Sequence, residues 1–178
     1  MEYDGRSWSD GVAQAIMEVK RKDDHELVKA VLVAALFPNV IKIEDTGKKG
    51  GFKCIASGDE AVRIHPSSVN AKTKKFPSRF LVFHEKVKTT QVFIRDCSSV
   101  SPFALAFFGG KLTWDRRQRI LNLADGWIQF AVNNNAAVTI EAARTAFDEL
   151  LQMKIENPEL DVSNADLVKQ IVSLVVRP

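Results

Sequence analysis

Five residues could nominally supply a nucleophile, a base and an orienting acid: His65, His84, Asp96, Cys97 and Ser101. Group transfer by such a set needs a nucleophile on a sharp, glycine-flanked strand-to-helix turn, or a local Cys–His signature. Neither surrounds Cys97 or Ser101. The 3 histidines and 2 cysteines also lack the paired short spacings that hold zinc. No catalytic residue and no metal site is therefore assigned. What the residues can do is attract phosphate: between Arg63 and Gln91 stand Arg63, Lys72, Lys74, Lys75, Arg79, Lys86 and Lys88 against Glu85 alone. That is a local charge of +6 in a chain of net +3, so the remainder carries −3. Basicity gathered in this way suits a surface that meets nucleic acid better than a pI near 8.9 does by itself.

The elements that must position these residues follow from periodicity. At 178 residues, 46% apolar and 26% charged, the chain can bury a core, and it has no apolar run long enough to span a membrane. Ser9 is a plausible cap for a helix over about Asp10–Lys20, and a second helix, about Asp24–Phe37, is apolar nearly all round before Pro38 ends it. Such a helix reads as the edge of a neighbouring helical unit, which makes the chain a fragment. The period then becomes that of strands at Val40–Glu44, Phe52–Ala56, Ala61–Ile64, Phe80–Lys88 and Gln91–Cys97, the last two joined near Lys88-Thr89-Thr90. Ser101-Pro102 opens a helical turn that Gly109-Gly110 closes, and strands at Arg119–Leu123 and Trp127–Val132 flank the hairpin signal Asp125-Gly126. Asn133–Asn135 breaks the sheet pattern before a long helix, about Ala136–Glu156, and an apolar segment Leu167–Val176 ends the chain.

This order predicts a mainly β fold with flanking helices, an open five-stranded Greek-key barrel of the OB type. The expected division is residues 1–38 helical, 39–157 barrel and 158–178 a C-terminal helical extension. Cys54 and Cys97, without a secretion signal, read as reduced thiols of the nucleus or cytoplasm.

The stretches RIHPSSVN, FLVFHEKVKTTQVFIRDCSSVSPFALAFFGG and DGWIQF resemble the C-terminal OB-fold region of DEAH-box RNA helicases, the branch that includes RNA helicase A. The resemblance runs from about Leu27 to Ile155. It implies that the second helix continues a ratchet domain, and that the module grips single-stranded RNA, or structured RNA, while motor domains translocate it. In that family the His-x-Ser-Ser-Val-Asn loop and the hairpin tip reach the strand, which carries over to His65, Ser67, Ser68, Lys86, Lys88, Thr89 and Thr90, with Arg63, Lys74 and Lys75 adding phosphate attraction. Pro66 departs from members that carry Lys there. This chain has no Gly-x-x-x-x-Gly-Lys-Ser/Thr loop and no Asp-Glu-Ala-His, so ATP and Mg would belong to motor domains in the parent and no cofactor is expected here.

Other readings stand beside these. His65 and Ser67-Ser68 are also good turn chemistry, Lys72–Arg79 also suits a solvated loop, and His84 also suits a plain strand position. Phe103, Phe107, Phe108 and Trp127 read as core rather than as a stacking platform. An alternative for the whole chain is a docking module for the motor and ratchet domains or a regulatory protein, which the acidic residues from Glu141 to Asp166 would suit.

Overall fold

The computed structural model describes residues 25–47 and 51–176. The helix expected over Asp10–Lys20 lies outside them.

Helix α1 (His25–Leu36) leads into strands β1 (Val40–Asp45), β2 (Phe52–Ala56), β3 (Glu60–Ile64), β4 (Phe80–Lys88) and β5 (Val92–Val100). These five close into a barrel in the order β1-β2-β3-β5-β4. The barrel is closed rather than open because β3 pairs in parallel with β5, Arg63 beside Phe93 and Ile64 beside Ile94. Gly58 (φ +77) and Asp59 (φ +57) turn β2 into β3 in the left-handed region that such short loops need.

After the barrel come α2 (Pro102–Phe108), β6 (Leu112–Asp115), β7 (Ile120–Leu123), β8 (Ile128–Ala131), α3 (Asn134–Glu156) and α4 (Asp166–Val175). The strands expected after the helical turn are thus not barrel strands. With β6, which periodicity does not reveal, they form a separate antiparallel sheet in the order β6-β7-β8. That sheet meets the barrel where Lys42 Nζ lies 4.5 Å from the Trp127 ring and where Phe80 and Phe130 pack edge to face, their centroids 5.7 Å apart.

Two apolar clusters result. Ile41, Cys54, Ala56, Val62, Leu81, Phe83, Ile94 and Cys97 fill the barrel. A larger hub gathers α1 (Leu27, Ala30, Val33), α2 (Leu105, Phe107, Phe108), α3 (Phe147, Leu151) and α4 (Ile171, Val172, Val175) against the barrel's outer wall at Val40, Val82 and Val100. Alternation in β4 makes the wall common to both, since Leu81 points into the barrel and Val82 into the hub. This corrects the expectation that α1 has lost its partner. Ala30 and Val33 are fully buried within the chain, and Val28 is the one large apolar side chain widely exposed on that helix among the described residues.

Helix α2 is fixed at both ends. Ser101 Oγ accepts the Ala104 N–H at 3.1 Å, with Pro102 in the first turn. At the other end Gly109 has an ordinary φ of −72°, so its left-handed freedom is not what the position uses. A Cβ at Gly109 would lie 2.5 Å from the Leu105 carbonyl oxygen, and one at Gly110 would enter the Phe37 ring. Close approach is the reason for both glycines. Arg144 of α3 donates to the Ala106 and Gly109 carbonyls, each at 2.6 Å, capping the negative end of α2. The Asn133–Asn135 break proves to be the start of α3: Asn133 Oδ1 accepts the Ala136 N–H at 2.8 Å. Beyond its end, the buried Lys154 donates to the carbonyls of Pro158 and Leu160, holding the turn that leads to α4.

Candidate nucleic-acid interface

The loop after β3 is built from successive tight turns. Ser68 N–H donates to the His65 carbonyl and Ala71 N–H to the Ser68 carbonyl, both at 2.9 Å, and Thr73 N–H to the Asn70 carbonyl at 3.0 Å. Its start is tied to β5 by the His65 N–H on the Ile94 carbonyl at 2.9 Å, and its middle by Asn70 Nδ2 on the Cys97 carbonyl at 2.6 Å. The serine hydroxyls split their duties: Ser68 Oγ accepts the Asn70 N–H at 3.3 Å, while Ser67 Oγ lies 2.7 Å from His65 Nδ1.

His65 has its own partners. Arg95 Nη2 is 3.3 Å from Nε2, and Nδ1 lies 2.7 Å from Ser67 Oγ and 3.2 Å from the Ser67 backbone nitrogen. The ring also packs edge to face on Phe93 at 5.5 Å. With both nitrogens engaged, the ring orients Ser67 and Arg95 and keeps only its faces for a base.

Register decides which side chains share a surface. Across β3, β5 and β4, Arg63 stands beside Phe93 and Phe93 beside Val87, while Arg95 stands beside Glu85. Arg63, His65, Phe93, Arg95, Glu85 and Val87 therefore line one outer face, with Arg95 Nη1 3.5 Å from Glu85 Oε2. Lys86 and Lys88 take the opposite face, Lys86 beside the buried Ile94, and Lys86 Nζ reaches Glu60 Oε2 at 2.9 Å. At the tip Lys88 pairs with Val92, and Thr89 N–H donates to the Gln91 carbonyl at 2.9 Å, leaving Thr90 exposed.

Lys74 and Lys75 belong elsewhere. With Arg79 they line a groove shared with Glu44, Asp45 and Phe52, where Phe76 packs edge to face on Phe52 at 5.5 Å. The structure thus brings together Arg63, His65 and Ser67, sets Lys86, Lys88, Thr89 and Thr90 at the adjoining hairpin, and puts Lys74 and Lys75 beside the β1–β2 edge. Sequence reading passed over Arg95, Phe93 and Asn70. The first two sit two apart on β5, a strand spacing that could have suggested a shared face.

The nominal catalytic set is divided between buried and exposed positions. Ser101 is a helix cap, Cys97 is buried, and His84 and Asp96 are exposed. Burial, aided by the neighbouring Cys97, pushes the Cys54 thiol up to about 11, the reverse of what a nucleophile requires. Among the described residues no three His, Cys, Asp or Glu side chains gather in a way that could hold a metal ion.

The family described as oligonucleotide/oligosaccharide-binding (OB)-fold matches residues 28–112, and the C-terminal domain in RNA helicases matches residues 120–177. The DExH-box ATP-dependent RNA helicase DExH1 of Arabidopsis thaliana is 40% identical over 153 residues, covering 86% of this chain and 15% of the helicase. The putative ATP-dependent RNA helicase DHX57 of Mus musculus is 38% identical over 193 aligned positions, 94% of this chain and 14% of its own length. The chain belongs to the OB-fold C-terminal region of the DExH-box RNA helicases. A third relative, the ATP-dependent DNA/RNA helicase DHX36 of Mus musculus, is 39% identical over 140 residues, 76% of this chain and 14% of that protein. The chain spans about a seventh of the length of these relatives. Within this helicase region the two matches divide at the β6–β7 hairpin: the first ends at the start of β6, the second begins with β7, and residues 113–119 lie between.

Proposed function

We propose that this region grips single-stranded RNA for an ATP-dependent helicase whose motor domains lie elsewhere in the parent protein. The reading rests on one observation, the outer face of β3, β5 and β4, where two guanidiniums and an imidazole surround the half-buried Phe93. Arg63, Arg95 and the Ser67 hydroxyl would take phosphate oxygens, while the faces of His65 and Phe93 would receive bases. Lys86, Lys88, Thr89 and Thr90 would hold the backbone as it passes the hairpin tip, and Lys74 and Lys75 would attract it from the β1–β2 side. Such contacts bind without reading sequence. ATP and Mg would act on the motor domains, and no step of chemistry falls to this region.

The test is fluorescence anisotropy of a labelled single-stranded RNA of about ten nucleotides, a length within the span of one such barrel. A Lys86→Ala/Lys88→Ala variant is expected to bind more weakly, with the slope of log affinity against log salt reduced by about 1.4 for two lost phosphate contacts. Unchanged binding in that variant would remove the hairpin tip from the interface. No binding by the wild type, even at low salt, would favour the docking role instead.

A further inference from the structure

The β6–β7 hairpin carries a second cationic surface that the barrel reading leaves unused. Lys111, Arg116, Arg117 and Arg119 stand within nine residues, with Asp115 as the only acid among them. All four cations are exposed. Elsewhere Lys29, Lys86, Arg95 and Arg144 each reach a carboxylate. Lys111, Arg116, Arg117 and Arg119 do not, among the described residues.

Asp115 is committed to the turn itself. Its Oδ1 accepts the N–H groups of Arg117 at 2.9 Å and Gln118 at 3.0 Å, so it shapes the tip without pairing to a guanidinium. Pairing of Asp115 with Ile120, and the Val132 N–H on the Arg119 carbonyl at 3.0 Å, hold the tip to the sheet. The Arg116 guanidinium lies over the Trp114 ring at 5.1 Å, which orders one of the cations before any ligand arrives.

A protein partner would be expected to find an apolar anchor here. None of the widely exposed large apolar side chains lies between Lys111 and Leu123. A phosphate backbone needs no such anchor, only unpaired cations held in place. We propose that the β6–β7 tip is a second phosphate-binding surface for the RNA backbone, separate from the face of β3, β5 and β4. The acidic α3 region hides it in the overall charge, and its three arginines fall between the two family matches.

The experiment compares the whole chain with an Arg116→Gln/Arg117→Gln variant, by anisotropy with single-stranded RNA of about 20 nucleotides, long enough for two surfaces of this kind. Both side chains are exposed, and an unchanged thermal midpoint checks the fold. The salt slope is expected to fall by about 1.4 and affinity at low salt by at least about tenfold. Arg116→Lys/Arg117→Lys should restore most of the slope. Adding the glutamine pair to Lys86→Ala/Lys88→Ala should lower the slope further, since the surfaces are separate. If only Arg116→Gln/Arg117→Gln changes the slope, this inference stands and the β4–β5 tip leaves the interface. An unchanged slope in Arg116→Gln/Arg117→Gln overturns it, as does absence of RNA binding by the wild type. Equal competition by polyglutamate of the same charge overturns it too, and points to an acidic protein segment.

Discussion

In Ser101–Gly110 every residue from Ala104 to Phe108 is buried, whereas in His65–Asn70 Pro66, Ser67 and Val69 are exposed and much of the polar bonding is local. Both stretches carry the family resemblance. One is held by the hub, whose 19 buried residues exceed the 8 inside the barrel among the described residues, and the other is tied to β5 chiefly through His65 and Asn70. A motif can mark a packing solution or a contact surface with equal clarity in the sequence. Burial separates the two, and it places most of the apolar stabilisation on the side away from the proposed RNA face.

The contrast predicts that changes in the hub unfold the chain while changes at the outer face leave it folded. Phe107→Ala should give the largest effect, a loss of about 3–5 kcal/mol in urea unfolding, because a fully buried ring leaves a cavity. A loss under about 1 kcal/mol would show that the barrel stands without its hub.

Arg144→Ala comes next. It leaves the Ala106 and Gly109 carbonyls without their donor, and the expected loss is about 2–3 kcal/mol by the same unfolding measurement. Arg144→Lys should recover only part of it, since an ammonium does not reproduce the fork that spans both carbonyls. Full recovery would make charge alone the cause.

The smallest effect concerns pH. Cys54, raised from an ordinary 9.0 to about 11 in the fold, contributes stability that is complete below pH 9 and lost as pH rises through about 11. Wild type should therefore lose more thermal stability between those values than Cys54→Ala does. Parallel curves would mean that the barrel interior admits the thiolate without cost.

Much of the fold is legible in the sequence, for local reasons. Strand β4 and helix α2 fall where alternation, Ser-Pro capping and the glycine pair place them, and Asp125 and Gly126, at φ +54 and +87, supply the left-handed turn that Asp-Gly announces. Strand β6 escapes because four residues ending in a charged turn carry too little pattern to register. The site is less legible. The parallel pairing that sets His65 against Arg95 joins residues 30 apart, and nothing local in either segment reveals it. Asn70 gains a role only in the fold, where its amide holds the loop to Cys97.

The common wall formed by β4 has a mechanical consequence. Residues Leu81–Phe83 are buried, with Leu81 and Phe83 turned to the barrel core and Val82 to the hub, and further along the hairpin is held again where Phe93 and Ile94 pair with β3, so that only the tip from Lys88 to Val92 extends past the barrel's pairing. The hairpin is a beam clamped at one end. A pull on Thr89 and Thr90 acts as a bending load at the free end and is resisted first by the pairing of Phe93 and the buried Ile94 with β3, then by the packing of Val82 and Val100 against the helices behind them.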